Sequence, residues 1–445
     1  MSFGRDMNRI VPNSGSAVLA VAAALVPFAA NANGILRNGT GAASMGLAGA
    51  DVASAADPLS AMSLNPAALS PSRGAELSLG AVAGSADGTF TKAGSGGDLD
   101  SRILTAPEFA VAIPLSDRRF VVGISSSADS GMSADWAYDD PAGGLGGTTS
   151  YGYRRNRARI ALVRTALGGA FHLDETLSFG ANVGLLYNDN ALESPYVFQS
   201  HPGLAGAKTL LDLKADGFGW NIQAGALYSP RKDLRFGLSY RNQSEVVATG
   251  TATGDVGVQL GAATIPFRYD AEVTTTFPHQ VAWGVSWSPS ANWRVAAQAE
   301  WIGWADAFDT LPVRLSNGSN PAVNAVVGGT SLADDIPLGW EDSWVFRVGA
   351  EYRLAEDWTL RAGYAHGQSP VPTSLLTPMT AVLMEHTLAA GLGYTRGRWT
   401  LDAAYQYDLP ASRSIGTSAL RSGEYSNSRI EVDLHTVALT ARYRF

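Results

Sequence analysis

Val281-Ala282-Trp283-Gly284-Val285-Ser286-Trp287 places a large apolar side chain at every second residue and a small or polar one between. In an extended chain successive side chains point to opposite faces, so one face suits hydrocarbon and the other suits water. The next stretch repeats the pattern. Trp293, Val295, Ala297, Ala299 and Trp301 alternate with Arg294, Gln298 and Glu300, and much later Leu401, Ala403, Tyr405 and Tyr407 alternate with Asp402, Gln406 and Asp408.

Reading outward from these segments predicts fourteen strands, near 76–84, 107–115, 119–128, 156–173, 176–188, 211–228, 234–246, 270–288, 292–303, 343–354, 358–366, 385–395, 398–408 and 430–445. The connections between them alternate strictly between two classes. Six are short (116–118, Asp174-Glu175, 229–233, 289–291, 355–357, Arg396-Gly397) and seven are long (85–106, 129–155, 189–210, 247–269, 304–342, 367–384, 409–429). A soluble sandwich or propeller has no reason to sort loop length by parity, whereas an outer-membrane barrel has short periplasmic turns and long external loops. The expected fold is all-β, a 14-stranded antiparallel transmembrane β-barrel, whose even strand number lets the sheet close with both termini on one side.

Composition agrees. The chain has 445 residues, 46% hydrophobic but only 16% charged, where soluble chains carry about a quarter. Its mean hydropathy is +0.01, too high for a disordered chain, and no apolar run supplies the roughly 18 residues of a spanning helix. The absence of cysteine excludes disulfides and thiolate chemistry, and a formal charge of −8 gives nucleic acid no electrostatic hold. Tryptophans at 220, 283, 287, 293, 301, 344, 358 and 399 fall near strand ends, as interfacial girdles require.

At the N-terminus, Arg5 and Arg9 precede an apolar stretch from Ala17 to Ala30, and Ala30 and Ala32 leave an A-x-A cleavage pattern. Residues 1–32 therefore read as a secretory signal peptide. Residues 33–75 are rich in Gly, Ala and Ser and lack strand periodicity. Fourteen strands enclose a lumen too wide to fill with their own side chains, so this segment is expected to fold inward as a hatch, leaving 76–445 for the barrel.

Within 33–75 stand Asn38-Gly39-Thr40-Gly41, Ala43-Ser44-Met45-Gly46-Leu47-Ala48-Gly49-Ala50, Ala55-Ala56-Asp57-Pro58 and Leu64-Asn65-Pro66-Ala67-Ala68-Leu69. They resemble the N-terminal hatch of the FadL-type outer-membrane transporters of long-chain fatty acids and hydrocarbons. Leu47 stands where that pattern has a glycine, and Pro58 where a second acid is usual. Asp357-Trp358-Thr359-Leu360-Arg361-Ala362-Gly363-Tyr364 and Ser369-Pro370-Val371-Pro372 resemble the family's eleventh strand and following loop. The chain's alternating end, with a terminal aromatic at Phe445, resembles the segment that outer-membrane proteins present to the barrel-assembly machinery.

The resemblance implies passive uptake of long-chain fatty acids or related hydrophobic compounds across the outer membrane of a Gram-negative bacterium. Ligand would be captured by the loops and released by hatch movement, leaving sideways at a kinked third strand. The hatch residues Asn65, Pro66 and Ala67 and the lateral-exit residues Gly123, Ser125, Ser126 and Ser127 are the sites it points to. By strand parity Arg235, Arg294, Arg347 and Arg361 face the lumen and are expected either to anchor the hatch or to hold a ligand carboxylate, which guanidinium binds bidentately. Pro195-Tyr196-Val197-Phe198 and 374–379 are candidate greasy entry patches.

Expected partners are a hydrophobic small molecule, outer-membrane lipid including lipopolysaccharide, and the assembly machinery, with the chain a monomer. No cofactor or metal is expected, since six scattered histidines show no zinc spacing. Nor is an enzyme, because no G-x-S-x-G elbow or P-loop occurs. A structural or adhesive barrel and a general porin are the alternatives.

Overall fold

A computed structural model describes residues 32–70, 74–116 and 119–445. The predicted signal peptide lies outside these apart from its last residue. The barrel strands are β1 (Glu76–Lys92), β2 (Leu104–Pro114), β3 (Phe120–Asp139), β4 (Tyr153–His172), β5 (Leu177–Val197), β6 (Lys208–Arg231), β7 (Leu234–Arg241 with Ser244–Asp255), β8 (Pro266–Phe277 with Gln280–Trp287), β9 (Trp293–Ile302), β10 (Ser343–Arg353), β11 (Trp358–Gly367), β12 (His386–Arg396), β13 (Trp399–Ile415) and β14 (Ser428–Arg444). Each pairs antiparallel with its sequence neighbours. The ring is closed by β1 against β14, from Glu76↔Arg444 to Lys92↔Ser428. Closure leaves the sheet no terminal edge strand to face hydrocarbon.

The expected strand count and order hold, but several strands run further than predicted. β3 continues to Asp139 and β13 to Ile415, and β6 begins at Lys208. The extensions of β3 and β13 carry polar residues such as Ser133, Asp135, Ser412 and Ser414, so they lack the hydrophobic alternation of the lipid belt and read in sequence as loop. The predicted loop 304–342 also holds a hairpin, Thr310–Ser316 with Leu332–Pro337, which adds to the edge of β8.

Leu185, Trp220, Trp283, Phe346, Leu401 and Leu439 are exposed on the outer wall, which is the expected lipid face. Near the short turns Trp293–Tyr352, Trp358–Tyr394 and Trp399–Tyr443 meet tilted with ring centroids 4.7–4.8 Å apart, and near the long loops Tyr187–Phe218 meet tilted at 5.2 Å and Trp283–Trp344 edge to face at 5.4 Å. These are the two aromatic girdles.

Residues 35–69 are almost wholly buried and are tied to side chains facing the lumen around the ring. Two short helices, Ala42–Met45 and Pro58–Leu64, give the segment its shape; Asp57 caps the second by accepting from Ser60 N. Wall glycines let the segment lie close. A Cβ on Gly363 would sit 2.3 Å from the carbonyl carbon of Leu47, and one on Gly180 2.3 Å from Ala67 N. Leu47, where the hatch pattern has glycine, packs its own backbone on this glycine-lined wall.

One ladder is incomplete. β2 and β3 pair only from Pro114↔Val121 to Phe109↔Ser126. Contact resumes at Asp100 N, which donates to Asp135 O at 2.8 Å, and at the isolated bridge Leu99↔Trp136. Between these points 101–108 and 127–134 form no ladder pair with each other, although 104–108 still pair with β1 and most of 127–134 with β4. On its other edge β3 shifts register against β4 between Ala128 and Ser130, leaving Asp129 as a bulge.

Candidate functional site

On the side of the long loops lies a cavity of about 270 Å³, walled by apolar side chains including Tyr196, Phe198, Phe267, Leu332, Trp340 and Met379. Both entry patches expected from sequence reach it, the first through Pro195 to Phe198 and the second through Leu375, Thr377 and Met379. The carboxylate on its wall at Asp334 is saturated: it accepts from Tyr196 OH, Gln199 N, Ser200 N, Ser200 Oγ and His201 N.

Beside the cavity Lys208, fully buried, holds Asp140 and Glu424 each at 2.7 Å, and its Nζ also donates to Pro141 O. Two long loops are thereby pinned to the start of β6. Burial raises both carboxyl pKa values above the ordinary carboxylate range, against the pull of the lysine charge. One ammonium among two carboxylates leaves negative charge in excess, and desolvation resists it.

The N-terminal segment forms the floor of the lumen. Arg347 donates to Asn38 Oδ1 at 3.2 Å and to Glu300 at 2.5 Å. Arg294 donates to Ser54 Oγ at 2.5 Å and pairs with Glu351 at 3.3 Å. Arg361 bridges Glu351 and Asp402, both at 2.7 Å, and its Cβ lies beside Gly46. Of the four arginines singled out in sequence, Arg235 alone contributes nothing to this girdle. Asn65 is fully buried; its amide donates to Val52 O and Ala226 O while its Oδ1 caps the turn at Ala67 N. Asn65, Pro66 and Ala67 thus press on β5 and β6, and none of them lines the apolar cavity.

At the third strand, Gly123 sits in regular register between Ala112 and Gly168, facing Met62 and Leu69 of the segment. Departure from the ladder begins beyond it. Ser126 is the last β3 residue paired with β2, its Oγ 2.9 Å from Thr165 Oγ1, and Ser127 and Ala128 lead into the bulge. Sequence reasoning missed what fills the break. Leu36 forms a bridge with Ser130, and Arg37 reaches both Glu108 of β2 and the carbonyl of Ala128 of β3. Asp129 turns inward to Arg241, whose Nη1 lies 2.9 Å from both its carboxylate oxygens, and Arg241 also donates to Ser63 O.

Opposite Ser127 in register stands Arg164, 3% exposed. Its Nε donates to Asn221 Oδ1 and its Nη2 to Asn182 Oδ1. Among the described residues no carboxylate pairs with it. The available signal was a lone arginine in the apolar run Ile160-Ala161-Leu162-Val163-Arg164. The closest grouping of metal-ligating side chains among the described residues, Asp87, Asp433 and His435, is on the outer surface of the β1–β14 seam.

An even-stranded closed barrel with an apolar belt, two girdles and an occupied lumen is the architecture of an outer-membrane barrel protein. Residues 23–445 match the family described as outer membrane protein transport protein (OMPP1/FadL/TodX), and the chain belongs to it. Its place is the outer membrane of a Gram-negative bacterium. It is 26% identical over 381 residues to a long-chain fatty acid transport protein of Salmonella typhi, covering 80% of this chain and 82% of that one. It is 24% identical to alkane uptake protein A of Marinobacter nauticus, covering 72% and 67%. In fold it is similar to the crystal structure of the Ralstonia pickettii toluene transporter TbuX, with a TM-score of 0.71 at 21% identity over 92% of this chain and 99% of that one.

Proposed function

We propose that the protein carries long-chain fatty acids or related hydrophobic compounds passively into the cell. Ligand enters the apolar cavity among the long loops, residues 33–75 act as a movable plug, and the ligand leaves sideways between β2 and β3. The observation that carries this reading is the interrupted ladder at 101–108 and 127–134, bridged from within by Leu36 and Arg37. A side exit lets an apolar chain pass from protein to bilayer without crossing water, where each exposed methylene costs about 0.8 kcal/mol. The names of the fatty acid and alkane relatives support the same ligand chemistry. In this reading Arg294, Arg347 and Arg361 anchor the plug, and Arg164 meets a ligand carboxylate as it nears the exit. The chain acts as a monomer, exported by residues 1–32 and folded by the barrel-assembly machinery into a membrane containing lipopolysaccharide.

A disulfide across the break tests it. The chain has no cysteine of its own, so cysteines at Pro107 and Ala128, which would face each other if the β2–β3 register continued, pair without competition. Oxidation should abolish fatty acid uptake by cells and reduction should restore it. Uptake unimpaired by complete oxidation would mean that ligand descends the lumen instead.

A further inference from the structure

Below the N-terminal segment, at the mouth beside the short turns, is a second cavity of about 320 Å³ whose chemistry is opposite to that of the first. Its wall is polar, and five of its lining side chains are basic against two acidic. The acids are already engaged, Glu351 by Arg294 and Arg361, and Asp233 by Arg231 on the rim. Arg442 is satisfied by Asp402 at 3.0 Å. Two cations remain, Lys232 and Arg235, and among the described residues neither makes a hydrogen bond or an ion pair. The charged neighbour of Arg235 is Arg294, of like sign. Ser286 stands opposite Arg235 in register, and it and Ser288 line the same space.

We propose that this mouth is a binding site for a phosphate group, held by Arg235 and Lys232 with hydroxyl donors from Ser286 and Ser288. A guanidinium fork and an ammonium together match a group that carries nearly two negative charges and three acceptor oxygens. A single carboxylate would leave one cation unanswered. The lining comes from lumen-facing residues such as Ser286, Arg294 and Glu351 and from the short turn at Lys232 and Asp233, so the phosphate comes from soluble periplasmic solutes rather than from a lipid headgroup. Arg294 serves this cavity and Ser54 at once, which puts the bound group directly beneath the plug's anchor.

Isothermal titration of the full-length mature protein in phosphate-free detergent, at constant ionic strength, tests the site with inorganic phosphate as the probe. Saturable binding is expected, at least tenfold weaker in Arg235→Gln and at least threefold weaker in Lys232→Gln, with less than a twofold change in Arg231→Gln, whose side chain is spent on Asp233. Acetate should bind at least tenfold more weakly than phosphate. Heat-modifiable migration on gels verifies that each variant is folded. Absence of saturable binding by the wild type, undiminished binding by Arg235→Gln, or acetate binding as tight as phosphate would each overturn the assignment. If the effect instead required an anionic phospholipid in nanodiscs and failed with inorganic phosphate, the soluble source would be wrong and the proposal with it.

Discussion

Arg37 and Glu108 meet across the break in the barrel wall: Nη1 of the arginine lies 2.5 Å from Oε1 of the glutamate. The same nitrogen donates to Ala128 O at 2.9 Å, so one guanidinium joins both lips of the opening to the N-terminal segment. Glu108, 2% exposed, also accepts from Gly41 N. Removing one member of a buried pair leaves an uncompensated charge at a cost of about 3–5 kcal/mol, whereas replacing both with apolar groups is often close to neutral. Glu108→Gln should therefore loosen the break, and Arg37→Met with Glu108→Met together should loosen it less. The readout is labelling of a cysteine placed at Ala128 by a membrane-soluble thiol reagent. Equal labelling of all three proteins would show that the pair does not close the wall.

A second prediction concerns the fit between segment and wall. Valine at Gly363 would drive its Cβ into the Leu47 backbone, and overpacking of this kind costs about 1–3 kcal/mol. The strands retain their own ladder, so Gly363→Val should insert normally yet admit small hydrophilic solutes in planar bilayers. Deletion of residues 35–70 should do so more strongly. An inserted but impermeable deletion variant would contradict the plug.

Arg164 allows ligand classes to be separated. It is buried without a paired carboxylate among the described residues, and Arg241 nearby is already held by Asp129. Arg164→Gln keeps hydrogen-bonding capacity toward Asn182 and Asn221 and removes the charge. Fatty acid uptake should fall at least tenfold while uptake of an alkane of equal length is unchanged. A parallel fall in both would assign Arg164 to packing.

The loop cluster around Lys208 predicts a pH dependence. Asp140 and Glu424 have folded-state pKa values raised chiefly by desolvation. Stability from such groups is complete below the ordinary carboxylate range and is lost as pH rises through the raised values. Acidification from neutral down to the ordinary carboxylate range, about pH 4, should slow amide exchange in 140–152 and 416–427, once intrinsic exchange rates are corrected for, and Glu424→Gln should flatten that dependence. Exchange that accelerates on acidification would reverse the assignment.

The barrel was legible because its determinants are local. Alternation through Val281, Trp283, Val285 and Trp287 fixes a face residue by residue, and turn length fixes which end is which. Strand extensions above the lipid belt were not, since outside hydrocarbon Ser133, Asp135, Ser412 and Ser414 stand in strands that need no apolar alternation. Lumen-facing arginines could be found by parity, but whether Arg347 holds Asn38 and Arg235 holds nothing among the described residues depends on residues 309 positions apart in the first case and on a cavity in the second. Gly123 drew notice as a possible bend, while the ladder fails at the serines and Asp129 beyond it. Glycine there answers to Met62 and Leu69 crowding from inside, a contact no strand pattern encodes.

The seam between β1 and β14 sets a constraint on how the molecule can be made. These strands come from opposite ends of the barrel sequence and join over the whole length of β1. The N-terminal segment precedes β1 and is bonded to β14 at Thr440, β13 at Gln406, β9 at Gln298 and β6 at Gln223. Its contacts to β6 need only strands made early in the chain, whereas those to β13 and β14 need the last two strands, so sealing the seam also completes the ring of anchors around the segment.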